Sequence, residues 1–315
     1  MRTSTIYPKL PRQLKHLFLQ VCHSQSVEYE KFWLASKSQL LPDRIGPCKP
    51  EILSDVSSNL FLLDYCIVWF SYYSEALTAA LIQSSQDENK YQRISINLIS
   101  WRITAELIAI RKLVLSGLDV PAKQILRSMS ENLDALSLAA VDSNFCSDFA
   151  KDQDVEHSNK TWYKYISKGK ARSHVNEQLP ANLRELLSHH EEFRKQEETV
   201  LSAAAHPSFM SGFASLFPNY DEKNDEDDIG ISPSFSLFSI RTIRYCSYRV
   251  MIHCFLDLSL LKTYEKYIDD VSHEELLDLK NFVKTGRKIA VSSLVLWRQL
   301  AGPETLGELL GGDTL

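Results

Sequence analysis

The sequence predicts an all-α protein, a multi-helix bundle with a buried helical hairpin at its centre over about residues 94–142. Three observations lead there. Apolar residues recur at three- and four-residue steps over segments too long for strands. No alternation of strand and helix patterns occurs, which excludes parallel-sheet enzymes. The periodic segments also begin and end at Ser, Asp, Gly and Pro, the residues that start and stop helices. A chain of 315 residues with 44% hydrophobic content has enough apolar surface for a sizeable core. Its net charge of −5 argues against a general nucleic-acid coater but not against a local basic patch.

Residues 1–50 read as an N-terminal helical arm, with helices over about 12–22 and 27–36 and then a loop marked by Pro42, Gly46, Pro47 and Pro50. Residues 51–300 read as one helical bundle domain. Its first helix runs to about Ser85 and is rich in aromatics (Tyr65, Trp69, Phe70, Tyr72, Tyr73). The stretch 60–81 is the nearest approach to a membrane span, but Asp64, Ser71, Ser74 and Glu75 make it a buried amphipathic helix instead. With no apolar run near Met1 to serve as a signal peptide, the expected location is cytoplasmic, with no membrane partner. The six cysteines show no paired spacing, and several lie in apolar helix patterns, as reduced core cysteines do.

The hairpin's first helix, 94–115, is apolar on almost every side, which predicts that protein surrounds it. Gly117 is placed to end it in a left-handed conformation, Asp119 to cap the next helix, and Pro121 to occupy that helix's first turn. Ile125, Met129, Leu133, Leu136 and Ala140 form the stripe of the second helix. Arg102 with Glu106, and Arg127 with Glu131, are spaced four apart and meet on one helix face. They read as structural ion pairs or, alternatively, as the lining of a small-ligand pocket in the middle of the bundle.

A polar connection over 142–154 holds a short helix, and the most basic stretch follows, 160–172. There Lys164, Lys168, Lys170 and Arg172 interleave with Trp162, Tyr163 and Tyr165. Charge for phosphates and rings for bases is the composition that grips RNA or single-stranded nucleic acid, and also that of an ordinary solvated helix face. Pro180 opens a helix that continues to Ala205. An acidic loop lies between Pro218 and Pro233; counted from Asp225, an EF-hand needs Glu at its twelfth place, where Ser236 stands. A long helix then spans about 235–268. Ser272 and Glu275 form a capping box for a last helix to about Leu300, and 301–315 is a C-terminal tail.

No phosphate-binding glycine loop, nucleophile elbow or zinc signature occurs, and His189-His190-Glu191-Glu192 cannot converge on one metal, so no cofactor or metal is expected. Arg184 and His189, five apart on a helix, resemble the R-x4-6-H motif of the HEPN family of helical endoribonucleases. The resemblance implies metal-independent RNA cleavage at a dimer interface, in toxin or antiviral defence systems. His would move the proton and Arg would steady the phosphate.

Over about 90–215 the chain is also similar to a group of uncharacterised bacterial all-helical domains. They share Leu-Arg-x-x-x-Glu (here Leu126, Arg127, Glu131) and Ser-x-x-x-His-Pro/Gly-Ser (here Ser202, His206, Pro207, Ser208). That resemblance implies a shared polar cluster of Arg127, Glu131, Ser202 and His206. Pro207 independently places His206 at a helix end, as a general acid or a satisfied core histidine. The expected function is a protein-interaction or regulatory component with a protein partner or a second copy of itself, with HEPN-like ribonuclease activity as the alternative.

Overall fold

The computed structural model describes residues 53–83, 89–151, 154–205, 237–269 and 277–300, together with His16, Leu19, Gln20 and His23. These residues are 92% helical and hold no strand, so the fold is all-α. The rest of the expected N-terminal arm, the acidic loop, the capping box at Ser272, the C-terminal tail and His206 lie outside the described residues.

The helices are α1 (Leu53–Gln83), α2 (Lys90–Leu115), α3 (Asp119–Ala139), α4 (Ser143–Ala150), α5 (Val155–Tyr165), α6 (Lys170–Gln178), α7 (Ala181–Ala205), α8 (Leu237–Leu256), α9 (Thr263–Tyr267) and α10 (Leu277–Leu300). The expected hairpin is α2 and α3, packed along each other. Its turn is local chemistry. Leu118 N–H bonds the Leu113 carbonyl at 2.8 Å and Gly117 N–H the Val114 carbonyl at 3.0 Å, with Gly117 at φ 72. This is a Schellman cap, and only a residue tolerant of positive φ closes it without strain. Asp119, expected to cap α3, does something else. Its carboxylate accepts from Ser239 Oγ at 2.8 and 3.0 Å, tying the start of α3 to the start of α8.

Enclosure on all sides belongs to α1 and α8 rather than to the hairpin. Leu60, Leu63, Ile67, Trp69 and Phe70 of α1 are buried, and so is every residue of α8 from Tyr245 to Cys254. Helix α8 packs against α1, α2, α3 and α10, so no side is left for solvent. In contrast, α2 buries Ile96, Ile99, Ile103, Leu107 and Ile110 but leaves Leu98 55% and Trp101 44% exposed. Its neighbours α1, α3, α4 and α8 cover only part of its circumference.

The expected continuous helix over 235–268 is interrupted. After Leu256 the chain makes a π turn (Asp257–Leu261), Lys262 takes φ 55, and α9 follows. Asp257 explains the break. Its buried carboxylate accepts from Thr263 N–H at 2.9 Å and from the Thr263 hydroxyl, and it also pairs with Arg287 of α10. Held this way, the carboxylate replaces the helical bonds that the turn gives up. The basic stretch likewise divides at Lys168 (φ 58) and Gly169 (φ 73), between α5 and α6. Cys66, Cys146, Cys246 and Cys254 are buried and free, as expected.

Candidate functional site

Two surfaces stand out among the described residues: an apolar seam along the outside of α2, and a cleft where α3, α6, α7 and α8 meet. Both arise from helix geometry.

Along α2, Tyr91, Ile94, Leu98, Trp101, Ala105 and Ile108 follow alternating steps of three and four residues, which keeps them on one stripe. Tyr91, Leu98, Trp101 and Ala105 are exposed, and Ile94 and Ile108 are partly so. Trp101 is fixed in place, since its ring N–H donates to Thr78 Oγ1 at 2.9 Å. Thr78 also donates to Asn97 Oδ1 at 2.9 Å, which sets α1 and α2 in register, and Ile82, one turn beyond Thr78 on α1, is exposed as well. Beyond Trp101 the stripe opens into a shallow groove of about 520 Å³ between α2 and α3, lined by Ala105, Ala109, Ile125, Gln124, Arg102 and Ser128.

The two ion pairs expected in the middle of the bundle form here, on the outside. Arg102 is 64% exposed and Glu106 13%, at 3.3 Å. Arg127 and Glu131 are each 39% exposed, at 3.6 Å. The four-residue spacing gives the pairing, and the outward face of α2 and α3 gives the exposure. Glu106 is the organising group, accepting also from Ser128 Oγ at 2.8 Å and Asn132 Nδ2 at 2.8 and 2.9 Å. Arg127 reaches Ser202 Oγ at 3.5 Å, so Arg127, Glu131 and Ser202 do come together at the contact of α3 with α7.

The basic stretch is partly neutralised. Lys160 pairs with Glu156 at 2.7 Å and Lys164 with Asp148 at 2.8 Å, while Lys170 donates to the Tyr163 carbonyl at 2.6 Å. Lys168 is exposed. Asp148 is held below the usual carboxylate range by its hydrogen bonds from Lys164 and Tyr165.

Arg172 turns inward to the cleft, a cavity of about 270 Å³. It bonds Glu198 at 2.7 Å and lies 3.5 Å from Asp134. Asp134 pairs in turn with Arg249 at 2.7 Å, and Arg194 pairs with both Glu191 and Glu198. The result is an alternating chain of guanidinium and carboxylate groups across four helices. Hydrogen bonding from Arg194 holds Glu191 below its ordinary pKa. Burial works against Glu198, but Arg194 and Arg172 hold it low as well. Burial pushes the Tyr245 phenol up to about 12, and its hydroxyl is buried without a hydrogen-bond partner among the described residues. Apolar residues supply the other wall: Val175, Leu179, Leu187, Ile252 and Leu256.

Arg184 also lines this cleft. Its guanidinium donates to the carbonyls of Glu177 and Leu179, both at 3.1 Å, and so closes the C-terminal end of α6. His189 lies on α7, with its side chain outside the described residues. Sequence reasoning missed Asp134, Arg194 and Arg249. A signal was present: Arg249 is followed directly by Val250, Met251 and Ile252 in α8, and a charge among buried apolar residues requires a partner.

Among the described residues no group of His, Cys, Asp or Glu is arranged to hold a metal ion, and no helix is long and apolar enough to cross a membrane. No protein-family model matches the sequence, and neither a curated protein nor a solved structure is significantly similar to it.

Proposed function

We propose that the protein is an interaction component that docks a partner's amphipathic helix along the outer seam of α2. One observation carries the reading: Tyr91, Leu98, Trp101 and Ala105 repeat at coiled-coil spacing on the face of α2 that its neighbours leave uncovered. Apolar groups at this spacing are the half of a helix–helix contact that a second helix completes. Trp101 gives the surface a pre-positioned aromatic anchor, the residue type over-represented among energetically dominant interface positions. Ala105 and Ala109 let a second backbone approach closely.

The test places a photo-crosslinking amino acid at Ala105 in cells of the source organism, with a control at exposed Glu156. A discrete adduct from position 105, absent from 156 and abolished by Leu98→Glu with Trp101→Glu, is the expected result. Adducts of the chain with itself would make the partner a second copy. No adduct from 105, or the same adducts from both positions, overturns the proposal.

A second reading, metal-independent RNA cleavage through Arg184 and His189, draws support from Arg184 lying at the arginine-lined cleft. It expects cleavage that persists in EDTA and is lost in Arg184→Ala and His189→Ala. Intact RNA after incubation with the wild-type protein removes it.

A further inference from the structure

The cleft has a chemistry of its own, separate from the α2 seam. Four guanidiniums line it, those of Arg172, Arg184, Arg194 and Arg249, against two lining carboxylates, Asp134 and Glu191, with Glu198 paired behind them. Four against three leaves one positive charge in excess. The compensation is uneven. Arg194 is held by two carboxylates and the buried Arg249 by Asp134 and the Ser130 carbonyl. Arg184 bonds only main-chain carbonyls among the contacts of the described residues and is itself exposed. Arg172 shares its one Nη1 between Glu198 and Asp134. Its position depends on a glycine, because a Cβ built at Gly169 would lie 2.8 Å from Arg172 Nη2.

We infer that this cleft binds a small organic anion, with its acidic head between Arg172 and Arg184 and its apolar body against Leu187, Ile252 and Leu256. A pair of always-charged guanidiniums suits a carboxyl or phosphoryl head: the Nη2 of Arg184 is taken by the two carbonyls and the Nη1 of Arg172 by its carboxylates, and the other N–H groups of each carry the charge to the head. The apolar wall gives such a ligand an advantage over a bare inorganic ion, since only a ligand with an apolar body gains from removing that surface from water. A volume of 270 Å³ is about nine times the ~30 Å³ share of one liquid water, so the body is about the size of a single ring.

Calorimetric titration of the full chain tests this with benzoate, phenyl phosphate, benzyl alcohol and inorganic phosphate. Saturable binding of benzoate or phenyl phosphate is expected, at least about tenfold tighter than that of benzyl alcohol or inorganic phosphate. Arg184→Gln changes an exposed residue, and Gly169→Ala displaces Arg172 without removing a charge. Each should weaken the organic anion at least about tenfold, with the far-UV circular dichroism of the wild type. Equal binding of benzyl alcohol overturns the inference, as does binding that both variants leave intact, or a flat titration with both organic anions.

Discussion

Arg111 of α2 and Asp64 of α1 meet inside the core, Nε to Oδ1 at 2.5 Å and Nη2 to Oδ2 at 3.3 Å, with side chains 1% and 0% exposed. The pair is forked, so one contact satisfies both carboxylate oxygens and two of the guanidinium nitrogens. Removing one member takes the forked partner away from a charge that stays buried. Asp64→Ala and Arg111→Ala should each lower unfolding stability by about 3–5 kcal/mol. The double variant Asp64→Leu with Arg111→Met should recover most of that loss, because a well-packed apolar pair avoids the desolvation penalty. Urea unfolding of the four proteins checks it, and a double variant less stable than both single variants would contradict it.

His253 predicts a pH dependence. Its Nδ1 lies 3.2 Å from Ser137 Oγ, and burial in α8 pushes its pKa down to about 4. Asp257 and Asp134 favour the charged ring, while Arg249 and Arg287 oppose it. The unfolded imidazole takes up a proton near the ordinary 6.5, the folded one only near 4. Between these values the unfolded state holds more protons, so stability falls as the pH drops from 6.5 towards 4. The loss from this group reaches up to ~3 kcal/mol at ~1.4 kcal/mol per unit. Unfolding midpoints across that window should fall more steeply for the wild type than for His253→Gln. Parallel curves would show that the ring does not contribute.

Gly286 reverses the usual helix preference. In an exposed helix interior, Gly→Ala stabilises by up to ~1 kcal/mol. On α10, however, a Cβ at 286 would lie 2.5 Å from Trp69 Cδ1 and 3.1 Å from the Tyr65 hydroxyl. Neither ring is free to move, since Trp69 Nε1 donates to the Val283 carbonyl at 3.1 Å and the Tyr65 hydroxyl donates to the Gly286 carbonyl. Gly286→Ala should therefore destabilise by about 1–3 kcal/mol, the cost of overpacking a tight core. A higher melting temperature in the variant would contradict this account.

Glu106 and its neighbours separate a hub from a decoration. Glu106→Ala strips the acceptor from Ser128, Asn132 and Arg102, and should cost about 1–3 kcal/mol. Arg102→Ala and Arg127→Ala remove exposed partners and should each stay within ~0.5 kcal/mol of wild type. Equal losses in all three would mean that the arginines are held far more tightly than their exposure allows.

What could be read from the chain was what local chemistry decides. The Gly117 turn, the step pattern of α2 and α3, and the pairing of Arg102 with Glu106 all lie within a few residues. Exposure was not legible from the same pattern. An apolar stripe at helical spacing reads alike whether helices of the chain enclose it, as around α8, or the described residues leave it exposed, as along α2. Nor were the buried pairs, because Arg111 finds Asp64 across 47 positions and Arg249 finds Asp134 across 115. Isolated charges in apolar runs were their only mark. Asp257 broke an apparently continuous helix for a related reason, since its partner Arg287 lies on another helix, beyond the pattern that predicted it.

Arg111 with Asp64, Arg249 with Asp134 and Arg287 with Asp257 join α1 to α2, α3 to α8, and the turn after α8 to α10. Leucines and isoleucines tolerate sliding; a neighbouring methyl group is nearly as good as the original. A buried ion pair does not, and a slip of one turn, ~5.4 Å along a helix axis, would part each guanidinium from its carboxylate. These contacts thus act as alignment pins: oily surfaces hold the helices together, and the pins select which of many near-equivalent stackings the chain adopts.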